Sequence, residues 1–403
     1  MGAAEGSQMH RRALRDKVDT ARGSGRSRLA TTGALIALIC LLLPALAVGA
    51  PADDRFVVVL KDGVAHPGEV AREHARSYEA QVRFVYSHAL EGYAARVPGR
   101  ELGALRSDRR VAFIERDRRV EVSAVQQSPP WGLDRIDQRS RSLSRSFSYT
   151  STGAGVNAYV IDTGVRFGHT DFGGRAVDGY DAVDPNTPAD DCNGHGTHVA
   201  GTTGGTTYGV AKDVRLVAVR VLDCAGGGSY SGVISGIDWV TADHDPGEPA
   251  VANMSLGGPA SSAIDTAVRG SIADGVTYAV AAGNDSRNAC NFSPACISEA
   301  ITVSATNSND AKPSWANYGS CVDFFAPGVS IKSAWHASDT ATNTISGTSM
   351  AAPHAAGVAA LYLQGNPGAD PATVRQALYG STTKGVVGRS KTSNDHLLFT
   401  AGL

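Results

Sequence analysis

The chain lacks a marked excess of either charge. Its 37 Lys and Arg against 39 Asp and Glu leave a formal net charge of −2 over 403 residues. Cysteine is scarce, at six, so a chain of this length is no small disulfide scaffold and must bury a large core instead. The 46 glycines show no three-residue repeat, which excludes a collagen-like helix and leaves turns and close backbone approaches as their use. Disorder over the whole length is excluded by a hydrophobic fraction of 42 %, and the 6 % aromatic content is ordinary for a soluble protein. Only one apolar run is long, and it lies near the start.

What is present divides into three segments. Residues 1–50 carry 7 Lys/Arg and 3 Asp/Glu, residues 51–123 carry 13 and 12, and residues 124–403 carry 17 and 24, so the net charges are +4, +1 and −7. The acidic third segment lacks the basic footprint that nucleic acid or an anionic membrane requires. In the first segment a basic head precedes the apolar run Gly33–Ala50, and small residues follow at Ala45, Ala47, Ala50 and Ala52. That order describes a secretory signal peptide cut near 47–52, in preference to a membrane anchor, because Pro44 and the small-residue exit favour cleavage. Cys40 leaves with the leader, and export places the other five cysteines in an oxidising compartment.

The second segment, 51–123, alternates strand-like runs (55–60, 82–86, 92–97, 111–114 and 119–122) with helix-like ones (68–80 and 101–107), which predicts a compact α+β unit. From Ala124 onward, short apolar runs at 156–161, 214–221, 251–255, 277–282 and 300–303 alternate with helical spacing at 229–243, 260–274 and 349–363. Apolar runs of this kind, buried on both faces, predict a mainly parallel sheet with helices packed on it. Ligands of such sheets bind beyond the carboxyl ends of the strands.

Three residues stand at such places. Asp162 ends Tyr159-Val-Ile-Asp, His195 lies in Asn193-Gly-His-Gly-Thr-His, and Ser349 lies in Ser346-Gly-Thr-Ser-Met-Ala-Ala-Pro-His354. A serine hydroxyl becomes a nucleophile when an imidazole takes its proton, and a carboxylate holds that imidazole in the required tautomer. A glycine lies close to each, which the sequence reading assigns to the approach of a substrate backbone. Asn284, in Ala281-Ala-Gly-Asn, can donate its amide hydrogen to an oxyanion. Read singly, each residue has a plainer role. Asp162 could be a turn residue, His195 a packed histidine or, with His198, a metal ligand, and Ser349 a helix cap. Asn253 and Asn284 also head glycosylation sequons. The joint occurrence favours the catalytic reading.

The strings VIDTG, GHGTHVAG and GTSMAAPHAAG resemble the three signature blocks of the subtilisin-like serine proteases, in the chain order Asp, His, Ser of that family. Residues 124–403 are similar to the aqualysin-like members of the proteinase K group, on PPWGLDRIDQR, YGVAKDVRLVAVRVLDC, NMSLGG, AVAAGND and FAPG. The resemblance implies a subtilisin-like three-layer α/β fold with a mainly parallel central sheet, preceded by a small α+β inhibitory propeptide domain. It implies a secreted, broad-specificity serine endopeptidase with an apolar preference, made as a self-processing zymogen cut before Ala124.

By the same resemblance Asp162 orients His195, His195 is base and then acid, and Ser349 is the nucleophile. Asn284 and the Ser349 N–H form the oxyanion hole. Ser255, Leu256 and Gly257 border the primary pocket, and Gly226, Gly227, Gly228, Ser229 and Tyr230 form the opposite edge, clamping the substrate as an added strand. Structural calcium is implied at two places, and no catalytic cofactor. One place comprises the carbonyls of Ser298 and Ala300 with Asp323; the other comprises Asp134, Asp137, Gln138, Ser144 and Ser146. The implied disulfides are Cys192–Cys224 and Cys290–Cys321, with Cys296 unpaired or competing for Cys321. The implied partners are protein or peptide substrates and the chain's own propeptide as intramolecular inhibitor. No nucleic acid and no stable membrane association after processing are expected, and the enzyme is expected to be a monomer. An α/β-hydrolase esterase would need G-x-S-x-G, whereas Gly347-Thr-Ser-Met-Ala351 lacks the second glycine. A non-enzymatic relative of the same fold would not need all four of Asp162, His195, Ser349 and Asn284.

Overall fold

A computed structural model describes residues 55–117 and 124–400. The leader and the strand expected at 119–122 lie outside the described residues. The chain divides into two compact units, one ending at Arg119 and the other starting at Val120.

In the first unit the elements follow as β1 (Arg55–Leu60), α1 (Pro67–Ser77), β2 (Gln81–Ser87), β3 (Glu91–Arg96), α2 (Leu102–Arg106) and β4 (Val111–Arg116). The strands form an antiparallel sheet in the order β2-β3-β1-β4. β1 alternates strictly, burying Phe56, Val58 and Leu60, and these pack with Val70, Ala71, Tyr93 and Leu105. A strand with one apolar face needs one covering layer, and the helices supply it.

The second unit opens with β5 (Ala124–Gln127), α3 (Trp131–Ile136) and β6 (Ser146–Tyr149), with β5 and β6 pairing antiparallel. Then come β7 (Asn157–Asp162), β8 (Ala176–Asp181), α4 (His195–Gly204), β9 (Arg215–Arg220), α5 (Tyr230–Asp243), β10 (Ala250–Met254), β11 (Gly258–Pro259) and α6 (Ser262–Asp274). The chain continues through β12 (Thr277–Ala281), β13 (Phe292–Ser293), β14 (Ile301–Thr306), β15 (Phe324–Pro327), β16 (Ile331–Ala334), β17 (Thr342–Ile345), α7 (Thr348–Gly365) and α8 (Pro371–Ser381).

Seven strands make one sheet, ordered β15-β14-β12-β10-β7-β9-β8, with every pair parallel. All six residues of β7 are buried, as a strand covered on both faces requires. Ala158 and Val160 face one layer with Val199, Met350 and Ala355 of α4 and α7. Tyr159 and Ile161 face the other, with Val233, Ile237, Ile264 and Val268 of α5 and α6. The result is a three-layer α/β unit. After β7 the chain builds β8 and β9 on one side, then crosses to build β10 onward on the other. The crevice at the carboxyl ends of β7 and β10 is therefore the topological switch point, where such sheets bind ligands.

Among the described residues no helix is long and apolar enough to cross a membrane.

Candidate active site

Asp162 is the last residue of β7, His195 the first of α4 and Ser349 the second of α7, so three segments distant in sequence converge at the switch point. The His195 Nδ1–H donates to Asp162 Oδ1 at 2.7 Å. The carboxylate is fully buried while the imidazole is 26 % exposed, so one ring edge is fixed and the other faces the cleft. Glycine makes the approach of β7 and α4 feasible. A Cβ at Gly196 would lie 2.1 Å from the Gly164 carbonyl oxygen, so only glycine fits there. These two glycines serve the packing of two elements and not the approach of a substrate backbone.

The loop entering α4 is organised by Asp191. Its Oδ1 accepts from Thr163 Oγ1 and the Asn193 and Gly194 N–H groups, and its Oδ2 accepts from the N–H and hydroxyl of Thr197. Burial pushes the His195 pKa down, Asp162 and then Asp191 pull it up, and the balance lies above the ordinary imidazole value. The signal for Asp191 in the sequence was an acidic residue just ahead of a helix start, a position that satisfies free N–H groups. The Cys192–Cys224 disulfide ties this same loop to the turn at 223–228.

His198 does not join His195 as a metal ligand. It is buried, its Nε2–H donates to the Ile331 carbonyl, and burial pushes its pKa down to about 4. Among the described residues no group of three potential metal-binding His, Cys, Asp or Glu side chains occurs.

The Ser349 hydroxyl donates to the Ser255 carbonyl at 3.0 Å in this state. Asn284 Oδ1 accepts from both the N–H and the hydroxyl of Thr348, at 2.9 and 3.0 Å, which leaves its amide N–H₂ available to the cleft. Asn317, fully buried, braces the same loop through the Asp285 and Arg287 N–H groups and the Ala282 carbonyl. Neither Thr348 nor Asn317 is legible from local sequence, because their roles come from contacts across 64 and about 30 residues. As for the sequons, Asn253 is 1 % exposed and its amide is engaged, so it is no glycan acceptor.

Two depressions flank the segment 255–258. One, of about 500 Å³, is lined by His195, Gly226, Gly227, Gly228, Tyr230, Leu256 and neighbours. The other, of about 460 Å³, is lined by Asn284, Thr348 and Ser349 among others. Both share Ser255, Leu256 and Gly257 as a common wall. Ser229 departs from expectation: it is the N-cap of α5, its hydroxyl accepting from the Gly232 N–H, and it lines neither cavity. The Tyr230 hydroxyl, in the wall of the first depression, donates to the Pro259 carbonyl.

The two sets of residues expected to hold calcium differ in fit. Asp134 accepts from the N–H groups of Ser144 and Arg145, Gln138 Oε1 from Ser144, and the Ser144 hydroxyl bonds Ser146. Asp137 Oδ1 is buried here and has no partner among the described residues. An orphaned carboxylate oxygen amid hydroxyl and amide oxygens fits a hard cation. Asp323, by contrast, has one oxygen on the Thr302 N–H and the other paired with Arg375. That carboxylate is already neutralised, so the set Ser298, Ala300 and Asp323 does not fit a cation in this arrangement. Cys290 and Cys321 are bonded, so Cys296 does not compete for Cys321; it is a free thiol donating to Asp265.

Comparison with known proteins agrees with this architecture. Residues 153–401 match the subtilase family, and residues 55–123 match the peptidase inhibitor I9 family. The chain is 55 % identical over 354 residues to an extracellular serine proteinase of Thermus sp. (strain Rt41A), covering 87 % of this chain and 86 % of that one. It is 52 % identical over 328 residues to alkaline serine exoprotease A of Vibrio alginolyticus, covering 80 % and 61 %. A crystal structure of a cold adapted subtilisin-like serine proteinase superposes with a TM-score of 0.67 at 53 % identity, covering 69 % of this chain and all of that one. The chain belongs to the subtilase family of serine proteinases, with a subtilisin-like α/β unit preceded by an I9-type unit.

Proposed function

We propose that this protein is a secreted, monomeric serine endopeptidase in which Asp162, His195 and Ser349 act as the triad. The observation that carries the reading is the 2.7 Å bond from His195 Nδ1–H to the buried Asp162 carboxylate, with Ser349 at a helix N-terminus bonded to the 255–257 wall that borders both depressions. With the proton fixed on Nδ1, Nε2 is the basic nitrogen. As a peptide enters, the Ser349 hydroxyl leaves the Ser255 carbonyl and gives its proton to Nε2 while its oxygen attacks the scissile carbonyl. The oxyanion accepts from the Ser349 N–H and the Asn284 amide, and one such donor is typically worth about 2.7–4 kcal/mol of barrier. His195 then protonates the leaving amine, and water repeats the sequence on the acyl-enzyme.

The two edges, 226–230 and 255–257, pair with the substrate main chain, which is indifferent to side chains and gives broad specificity. The apolar lining by Leu222, Leu256, Val233 and Ile264 sets a mild apolar preference. The I9-type unit blocks the enzyme until it is cut before Ala124 and degraded. Asp134, Asp137, Gln138, Ser144 and Ser146 would hold a calcium ion, whose positive charge would offset the two carboxylates of the 134–148 segment. A second ion at Ser298, Ala300 and Asp323 would require Arg375 to withdraw.

Casein clearing with and without phenylmethylsulfonyl fluoride tests the reading. The parent is expected to clear casein and to lose activity on labelling, and Ser349→Ala to do neither while keeping its circular dichroism spectrum. Undiminished hydrolysis by that variant would overturn it.

A further inference from the structure

We propose that the Ser255 side chain, itself held by Asn253, is a positioning group for the nucleophile, beyond the role of Ser255 in the wall of the cleft. The inference rests on Ser349 being that nucleophile. It starts from a covalent fact. Within an α-helix the carbonyl of residue i accepts from the N–H of residue i+4. For Ser349 that residue is Pro353, inside α7, which has no N–H to give. The carbonyl of the very residue whose hydroxyl and N–H must be held in place therefore lacks its helical partner.

The structure supplies another donor. The Ser255 hydroxyl donates to the Ser349 carbonyl at 2.8 Å. Its own direction is set from behind, because the Asn253 amide nitrogen donates to Ser255 Oγ at 2.8 Å. An amide N–H₂ can only donate, so the serine proton is left for Ser349 alone. Asn253 is buried near the end of β10 and spends its nitrogen on this bond, while its Oδ1 has no partner among the described residues. In return the Ser349 hydroxyl donates to the Ser255 carbonyl. Two serines 94 residues apart thus clasp each other, and the sheet holds the first turn of α7 through a side chain where the helix itself cannot. The side chains of Ser255 and Asn253 touch no reacting atom; they act through the main chain of Ser349.

The test separates positioning from substrate pairing. Phenylmethylsulfonyl fluoride reacts with the nucleophile without forming main-chain pairs along the cleft, so its inactivation rate reads the catalytic groups apart from substrate pairing. Ser255→Ala is expected to lower kcat on a peptide anilide and the sulfonylation rate in parallel, each by about tenfold, with KM within about twofold. Asn253→Ala is expected to act in the same direction in the parent and to add little in the Ser255→Ala background. Pro353→Ala returns an N–H to position 353 and is expected to recover much of the loss in Ser255→Ala. A sulfonylation rate unchanged by Ser255→Ala, or strictly additive effects with no recovery through Pro353→Ala, would overturn the proposal. Should Ser255→Ala fail to fold, Asn253→Ala alone must still lower sulfonylation and kcat together, and a change confined to KM would overturn it. Hydrolysis surviving in Ser349→Ala would be a different failure, that of the nucleophile assignment itself.

Discussion

Asp191 shows how one carboxylate can serve both order and electrostatics. Four donors from the loop and first turn around His195 converge on it with a fifth from Thr163 after β7, and its charge also raises the His195 pKa. The proposed mechanism needs His195 neutral, so kcat/KM is expected to fall as pH drops through that pKa, which lies above the ordinary imidazole value. Removing the Asp191 charge lowers the pKa, and the acid limb of the pH–rate profile should move to lower pH in Asp191→Asn. A limb that stays in place would leave Asp191 a purely structural role. Thr348 likewise acts through a neighbour, since it holds Asn284 by its oxygen and so aims the amide hydrogens. Asp162, His195, Ser349 and Asn284 stood out as candidates in the sequence because their motifs carry chemistry within a few residues. Thr348, Asn317 and the side-chain task of Ser255 were not, because their partners lie far away in sequence.

At the scale of elements, the strands and helices with strong apolar patterning were legible almost to the residue. The run expected as strand at 277–282 is β12, Thr277–Ala281, and the helix expected at 260–274 is α6, Ser262–Asp274. α4 was not legible as a helix, because His-Gly-Thr-His-Val-Ala-Gly-Thr-Thr-Gly is built of poor helix formers; burial against α7 and the sheet overrides that preference. α8, Pro371–Ser381, also went unread, although Asp370 caps it through the Thr373 N–H and Pro371 starts it. The segment between α3 and β6 is an element without regular structure, held by side-chain oxygens around Asp134 and Asp137. If calcium completes it, EGTA should lower the unfolding temperature, and Asp137→Asn should abolish that sensitivity. A ligand at a hundred times its Kd stabilises by about 2.7 kcal/mol, a readily measured shift. An unfolding temperature indifferent to EGTA would remove calcium from this segment.

At the scale of the molecule, the near-neutral charge is a sum over parts of opposite sign, from +4 in residues 1–50 to −7 in residues 124–403. The two compact units have separate cores, one around Phe56, Val58 and Tyr93 and the other on both faces of the seven-stranded sheet. Separate cores let the first unit be removed without unfolding the second. The secreted active protein is therefore expected to begin at Ala124 by N-terminal sequencing, and Ser349→Ala to accumulate as a longer chain that retains the first unit. Normal processing of that variant would show that another protease makes the cut.

The sequence by itself determined the layered α/β character and set out four candidate groups in their chain order, because periodicity and local motifs are properties of neighbouring residues. Tertiary structure alone decided that Gly164 and Gly196 face each other, that Ser229 caps a helix, that Arg375 holds Asp323, and that Ser255 replaces the donor missing at Pro353. Each of these is a contact between residues far apart in the chain, and spacing along a sequence carries no distance across a fold.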